Sequence, residues 1–328
     1  MGDCLMVKLF DCYWQSFNHQ TIKPSVQLTH KAFLMIKVLV TGSNGQLGKE
    51  LKKISPSFSQ FDFIFLSRED LPIHHFDLVR NSFKAYHPQY CINCAAYTAV
   101  DRAEQEKDRA FHINGEAVGV LAAVCKEHQC KFIHISTDYV FDGTATVPYK
   151  EDSPTNPQSV YGASKLEGEK QALQFNPDSI VIRTSWVYSE FGKNFVRTML
   201  KLLKEKDEIN VVNDQFGSPT YAADLAEVIM QIIGKLQTPD SELPTPDSIY
   251  HYSNKGIISW YDFAVAIKEL TGSDCKINPI PASQYPTAAK RPAYSVLDTT
   301  KIHQSLGIVL NDWKESLVDC LQRINNKS

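Results

Sequence analysis

The sequence predicts an α/β fold: a doubly wound parallel sheet with a smaller C-terminal lobe. Three observations carry that expectation. Short apolar, β-branched runs alternate with helical patterns from residue 36 onward, the first run ends in a glycine-rich turn, and the alternation loosens after residue 184. Strands that alternate with helices form right-handed βαβ units around a parallel sheet. Ligands then bind beyond the carboxyl ends of the strands.

Residues 36–41 (IKVLVT) read as the first strand, 42–48 as the glycine-rich turn, and 46–54 as a helix closed by Ser55-Pro56. Residues 61–66 form a second apolar run, and 77–87 a helix with Asp at its start and Pro88 at its end. A third strand is expected at 90–95. One long helix follows over 100–128, where Ala103, Ala110, Phe111, Ala117, Val118, Leu121 and Val124 recur at helical spacing. Residues 131–136 give a fourth strand, 156–175 the next helix, and 179–183 a fifth strand. Beyond these, 194–203 and 221–236 look helical. Residues 236–247, rich in Pro, Asp, Ser and Thr, look like a surface loop. The expected division is a loose extension at 1–35, a dinucleotide-binding domain at 36–185, and a lobe at 186–328 that mainly binds substrate. Strands near 209–213 and 248–252 are expected to return to the main sheet.

The chain has 328 residues, 43% hydrophobic and 22% charged, which is ordinary globular composition. Its formal net charge of −3, without a long basic run, argues against nucleic acid as a partner. No apolar stretch reaches the ~18 residues a membrane span needs. Asp3, Lys8, Asp11 and Lys23 interrupt any leader-like core, so the expected location is cytoplasmic. Of eight cysteines, Cys91 and Cys94 form a CxxC with no second pair to complete a zinc site. The expectation is therefore reduced, buried thiols and no metal ligand set.

Three motifs carry chemistry. Thr41-Gly42-Ser43-Asn44-Gly45-Gln46-Leu47-Gly48 places glycines in a GxxGxxG spacing between a strand and a helix. Such a turn lets backbone approach a pyrophosphate, and the helix N-terminus offers free N–H groups. The tail of the second strand reads Leu66-Ser67-Arg68-Glu69-Asp70. An acid there binds a ribose 2′-hydroxyl and an Arg a 2′-phosphate, so NADPH and NADH both stay open, with Arg68 tilting the choice to NADPH. Third, Tyr161-Gly162-Ala163-Ser164-Lys165 puts a phenol and an ammonium on one helical face. A neighbouring ammonium favours the phenolate, making Tyr161 an acid or base nearer neutrality. With 14 tyrosines, about one YxxxK match is expected by chance. The motif gains weight from Ser136-Thr137-Asp138-Tyr139 after the fourth strand and Asn93-Cys94-Ala95-Ala96-Tyr97 after the third, which aim at the same crevice.

From about Lys37 to near the C-terminus, the chain resembles the extended short-chain dehydrogenase/reductase superfamily. Within it, the likeness is to the dTDP-4-dehydrorhamnose reductase family. The more particular stretches are Ala95–Asp101 with Ala103-Glu104, Ser136–Gly143, Arg183–Tyr188 followed by Asn194-Phe195, Asn213–Thr220, and Arg291-Pro292. The resemblance implies a Rossmann-type fold and reduction of the 4-keto group of dTDP-4-dehydro-L-rhamnose by NAD(P)H. It implies that Gly42, Asn44, Gly45, Gln46, Leu47 and Gly48 hold the pyrophosphate, with Arg68 and Asp77 near the adenosine and Ala95, Ala96 and Tyr97 along the cofactor. Thr137, Tyr161 and Lys165 form the implied catalytic triad. Thr137, Asp138 and Trp186 would contact the sugar, while Asn194, Gln215 and Arg291 shape the nucleotide-sugar pocket. The resemblance also leaves open a homodimer and a Mg2+ ion whose ligands the sequence does not place. Two other readings stand beside it: a nucleotide-sugar epimerase or dehydratase of the same superfamily, and a non-catalytic subunit like the β subunit of methionine adenosyltransferase.

Overall fold

The computed structural model describes residues 35–237 and 249–326. The expected extension at 1–35, all but Met35, and most of the loop expected at 236–247 lie outside the described residues. The described residues group as one unit, with no division at residue 185.

β1 (Ile36–Thr41) leads through the glycine turn into α1 (Gln46–Ile54), followed by β2 (Phe61–Leu66), α2 (Phe76–Tyr86) and β3 (Tyr90–Asn93). The long helix expected over 100–128 is broken. It consists of α3 (Val100–Ala103), α4 (Lys107–Phe111), a π-helical turn at His112–Glu116, and α5 (Ala117–Glu127). The wide turn sits where the Asn114 amide bonds the backbone of Tyr97 and the Ser164 hydroxyl. Such π segments frequently mark functional sites. β4 (Lys131–Thr137), α6 (Val160–Phe175) and β5 (Ile180–Thr184) complete the alternation.

Then come β6 (Val187–Tyr188), α7 (Phe195–Glu205), β7 (Glu208–Val212), β8 (Phe216–Gly217), β9 (Thr220–Tyr221) and α8 (Ala222–Leu236). The chain ends with β10 (Ile249–His251), β11 (Ile258–Ser259), α9 (Trp260–Thr271), β12 (Lys276–Ile280), α10 (Thr300–Leu306) and α11 (Trp313–Asn325).

Six strands form one parallel sheet in the order β10-β5-β4-β3-β1-β2. Both faces are covered. Val38, Val40, Ile92 and Ile133 pack with α1 and α8, while Leu39, Cys91 and Phe132 pack with α2 and α5. Burial on both faces is why these strands read as continuous apolar runs. The chain changes direction across the sheet between β1 and β3, the switch point where a ligand crevice opens.

β10 lies at the sheet edge, pairing Ile249 with Val181 and His251 with Arg183. The strand expected to return near 209–213 does not. β7 pairs in parallel with β12, apart from the main sheet. Its Glu208 and Asn210 are exposed while Ile209 and Val211 pack inward, a one-sided strand unsuited to a sheet covered on both faces. α7, α9 and α11 close over this ribbon around Val196, Phe263, Ile267 and Leu317. α8 and α10, by contrast, pack on the main sheet, so the chain after residue 185 contributes to both cores.

Candidate active site

The cofactor cradle is built where β1 and β3 end. Gly42 adopts φ +63°, and a Cβ there would lie 2.7 Å from the Ala95 nitrogen. Only glycine tolerates both the left-handed backbone and that approach. Thr41 Oγ1 donates to Asn93 Oδ1 (2.7 Å), as does the Ala95 N–H (3.2 Å), so the two turns are also tied by hydrogen bonds. Gly45 caps α1 without a side-chain bond, which leaves the first helical N–H groups for an anion. Gly42, Asn44, Gly45, Gln46 and Leu47 line a cavity of about 730 Å³, as do Ala95, Ala96 and Tyr97. Gly48 does not line it. A Cβ on Gly48 would meet the Ser43 Cα at 2.6 Å, so its role is to seat α1 against the turn.

Beyond the end of β2, Arg68 lines the cavity. Asp70 instead closes its own loop, accepting from the Ser67 N–H (2.9 Å). Asp77 is exposed in the first turn of α2, opposite the buried Val79 and Phe83, and does not line the cavity, where Ile73 and His74 do.

The Tyr–Lys pair lies beside the end of β4. Thr137 and Asp138 join Tyr161 and Lys165 of α6 in the same cavity as the glycine turn. Ser159 caps α6 by accepting from the Gly162 N–H (3.1 Å), which sets Tyr161 in the first turn. Burial pushes the Tyr161 phenol up to about 12; the Thr137 hydroxyl pulls it down and the Asp138 charge pushes it up. Burial brings Lys165 down to about 8, against the opposing pull of Glu169 and Cys94. The expected lowering of the phenol by Lys165 is not found. Lys165 Nζ donates to the Ile135 carbonyl (2.7 Å) and lies 3.2 Å from His134 Nε2, so its charge is spent behind the phenol, against β4. Asp138 accepts from Thr137 Oγ1 (2.9 Å) through Oδ1, and the Ser295 hydroxyl also acts on its carboxylate. Burial raises Asp138 to about 6.

Two contacts fix α6. Glu169 takes three hydrogen bonds from the Arg183 guanidinium on β5, the shortest 2.7 Å, and a fourth from the Ser136 hydroxyl. Asn114 bridges the backbone of Tyr97 (2.8 and 3.0 Å) to Ser164 Oγ (3.0 Å), linking the cofactor path to the catalytic helix.

Of the expected sugar-side residues, Trp186 lines the cavity with φ +49°, its ring stacked on Trp260 at 3.5 Å. Three others are not on the wall. Asn194 caps α7 and donates to Gln46 Oε1 (2.8 Å), so it steadies the cradle from behind. Arg291 makes a two-pronged pair with Asp101 (3.0 and 2.9 Å), which pins its loop to α3. Gln215 is buried just before β8. Gly192 and Lys193 line the cavity without having been singled out. Lys193 was legible as the cation in the Phe191-Gly192-Lys193-Asn194 turn. Asn114 and His134 carried no signal, because they lie inside a helical pattern and a strand.

Among the described residues, no group of three or more His, Cys, Asp or Glu side chains could hold a metal, and the cysteines are free thiols. No described helix is long and apolar enough to cross a membrane.

A Rossmann-like cradle that meets a helical Tyr–Lys pair at the end of the fourth strand defines a short-chain dehydrogenase/reductase. Residues 36–326 match the family described as RmlD substrate binding domain. The chain is 42% identical to dTDP-4-dehydrorhamnose reductase of Aggregatibacter actinomycetemcomitans, over 86% of this chain and 97% of that one. It is 43% identical to the spore coat polysaccharide biosynthesis protein SpsK of Bacillus subtilis (strain 168), over 88% and 98%. Among solved structures, dTDP-4-dehydrorhamnose reductase of Bacillus anthracis in complex with NADP superposes with a TM-score of 0.83 at 35% identity, covering 88% of this chain and 100% of that one. The chain belongs to the dTDP-4-dehydrorhamnose reductase family.

Proposed function

We propose that the protein uses NADPH to reduce the 4-keto group of dTDP-4-dehydro-L-rhamnose, giving dTDP-L-rhamnose. The observation that carries this reading is one cavity shared by the glycine cradle and by Thr137, Tyr161 and Lys165. The cradle fits a dinucleotide on two counts: the α1 N-terminus is uncapped by side chains, and a Cβ at Gly42 would fill the space between the turns. The names of the relatives supply the substrate, and Arg68 at the adenosine end, with the relative's NADP complex, favours the phosphorylated cofactor.

When bound, the nicotinamide supplies the hydride that adds to the sugar C4. The chain's own residues place the substrate and manage one proton. Tyr161 gives its phenolic proton to the C4 oxygen as that oxygen gains charge, and the C–O double bond becomes a C–OH single bond. A phenol held up to about 12 is fully protonated at neutral pH, so the acid is loaded before each turnover. Thr137 orients the reacting oxygen, and Lys165 anchors the nicotinamide ribose. Asp138 and Trp186, which line the same cavity, meet the sugar.

The test is NADPH oxidation with dTDP-4-dehydro-L-rhamnose. One NADPH is consumed per dTDP-L-rhamnose formed. An epimerase would regenerate its cofactor, and a non-catalytic subunit would consume none.

A further inference from the structure

The hydrogen bonds behind Lys165 have a fixed direction. The Ala95 backbone N–H can only donate, so the Asn93 atom that accepts it (3.2 Å), and that also accepts from Thr41 Oγ1 (2.7 Å), is the amide oxygen. The remaining Asn93 atom is then the NH2, and it faces His134 Nδ1 at 3.0 Å. An NH2 offers no lone pair, so Nδ1 is the acceptor and carries no proton. His134 is fully buried, so the imidazole is neutral. Its one proton lies on Nε2, 3.2 Å from Lys165 Nζ. An ammonium has three N–H groups and no acceptor, so it meets that N–H unfavourably. A neutral amine accepts it while still donating to the Ile135 carbonyl at 2.7 Å.

We propose that His134, locked by Asn93 as its Nε2–H tautomer, is a positioning residue that opposes the ammonium form of Lys165 and so sets the pH at which Lys165 carries its proton. The other groups acting on Lys165 are Glu169 on its own helix and Cys94 after β3; both favour the ammonium. Burial disfavours the charge on Lys165, and the His134 Nε2–H is the contacting group that adds to that burden, while Glu169, which favours the charge, is shared with Arg183. The same Asn93 oxygen holds Ala95 against Gly42, so the tautomer lock and the cofactor cradle share one amide. The inference rests on the role given to Lys165 above.

The first test is the tautomer itself, read from a long-range 1H–15N spectrum of the full chain labelled with 15N-histidine, with His134→Gln for assignment. The expected signal has a protonated Nε2 and a bare Nδ1, and it does not titrate between about pH 5 and 8. A protonated Nδ1 or an imidazolium at pH 7 overturns the proposal. The second test reverses the polarity: Asn93→Asp turns the donor toward Nδ1 into an acceptor, and His134→Gln offers Lys165 a carbonyl. In each folded variant the alkaline limb of kcat should move up by about one pH unit, with a smaller change in the KM for NADPH. An unmoved limb in a folded variant overturns the proposal. If both variants fail to fold, the wild-type spectrum decides alone. Absence of turnover in the wild type would sink the reductase reading and leave the spectrum to judge this one.

Discussion

Glu169→Gln tests how the catalytic helix is held. Glu169 and Arg183 are each 2% exposed, and the substitution keeps the shape while removing one charge. The other contacts of the Arg183 guanidinium are the Glu151 carbonyl at 3.2 Å, His251 Nε2 at 3.4 Å and the Phe141 ring at 5.1 Å, none of them anionic. Stranding a buried charge in this way costs about 3–5 kcal/mol. With a urea slope near 3 kcal/mol/M, the unfolding midpoint falls by about 1 M or more. The carboxylate also favours the Lys165 ammonium, so its loss lowers Lys165 further and moves the alkaline limb of kcat to lower pH. That is the direction opposite to the His134 and Asn93 variants. The assay is urea denaturation followed by fluorescence, with a pH profile of turnover on the folded variant. A midpoint within about 0.2 M of the parent, or a limb that moves up, refutes the reasoning.

Tyr161→Phe should lower kcat by about 10²–10⁴-fold with NADPH affinity retained, measured by turnover and by cofactor titration; activity within threefold of the parent, roughly, removes Tyr161 as the acid. Gly42→Ala forces a left-handed alanine against the Ala95 backbone, so NADPH binding should weaken by about tenfold or more in calorimetry. Asp138 has a folded pKa of about 6, raised from 3.8, so its stabilising contribution is complete below the unfolded value and lost as pH rises through about 6. Asp138→Asn should therefore match the parent near pH 4 and exceed it at pH 7 by on the order of 2 kcal/mol in denaturation. Equal stability of the two at both pH values contradicts the raised pKa.

The legible parts of this molecule are those whose signal is local. Buried on both faces, IKVLVT and KFIHIST read as central strands from composition alone. The glycine turn and the Tyr161/Lys165 pair were visible because spacing alone brings their members together. What escaped depends on partners far along the chain. The π-helical turn at His112–Glu116 keeps a helix-like apolar rhythm, so nothing local marks Asn114 as the bridge to Ser164. The pairing of β7 with β12 was misjudged, although the alternation in EINVV already described a half-buried ribbon. Arg291 pairs with Asp101 and Asn194 with Gln46, bonds to distant parts of the chain that no local pattern announces. Lys165 illustrates the limit most plainly: its place on the helix was predictable, but the direction of its ammonium was set by a carbonyl and an imidazole of β4.

The central claim is that hydride from the cofactor and a proton from Tyr161 meet at one sugar carbon within the cavity. It is tested most directly with NADPH carrying deuterium on the transferred position of its nicotinamide C4, incubated with dTDP-4-dehydro-L-rhamnose, and NMR of the product. The account predicts one deuterium at C4 of dTDP-L-rhamnose per NADPH oxidised, and none at other sugar positions. A product without deuterium at C4, or NADPH left intact while the sugar changes, would contradict it.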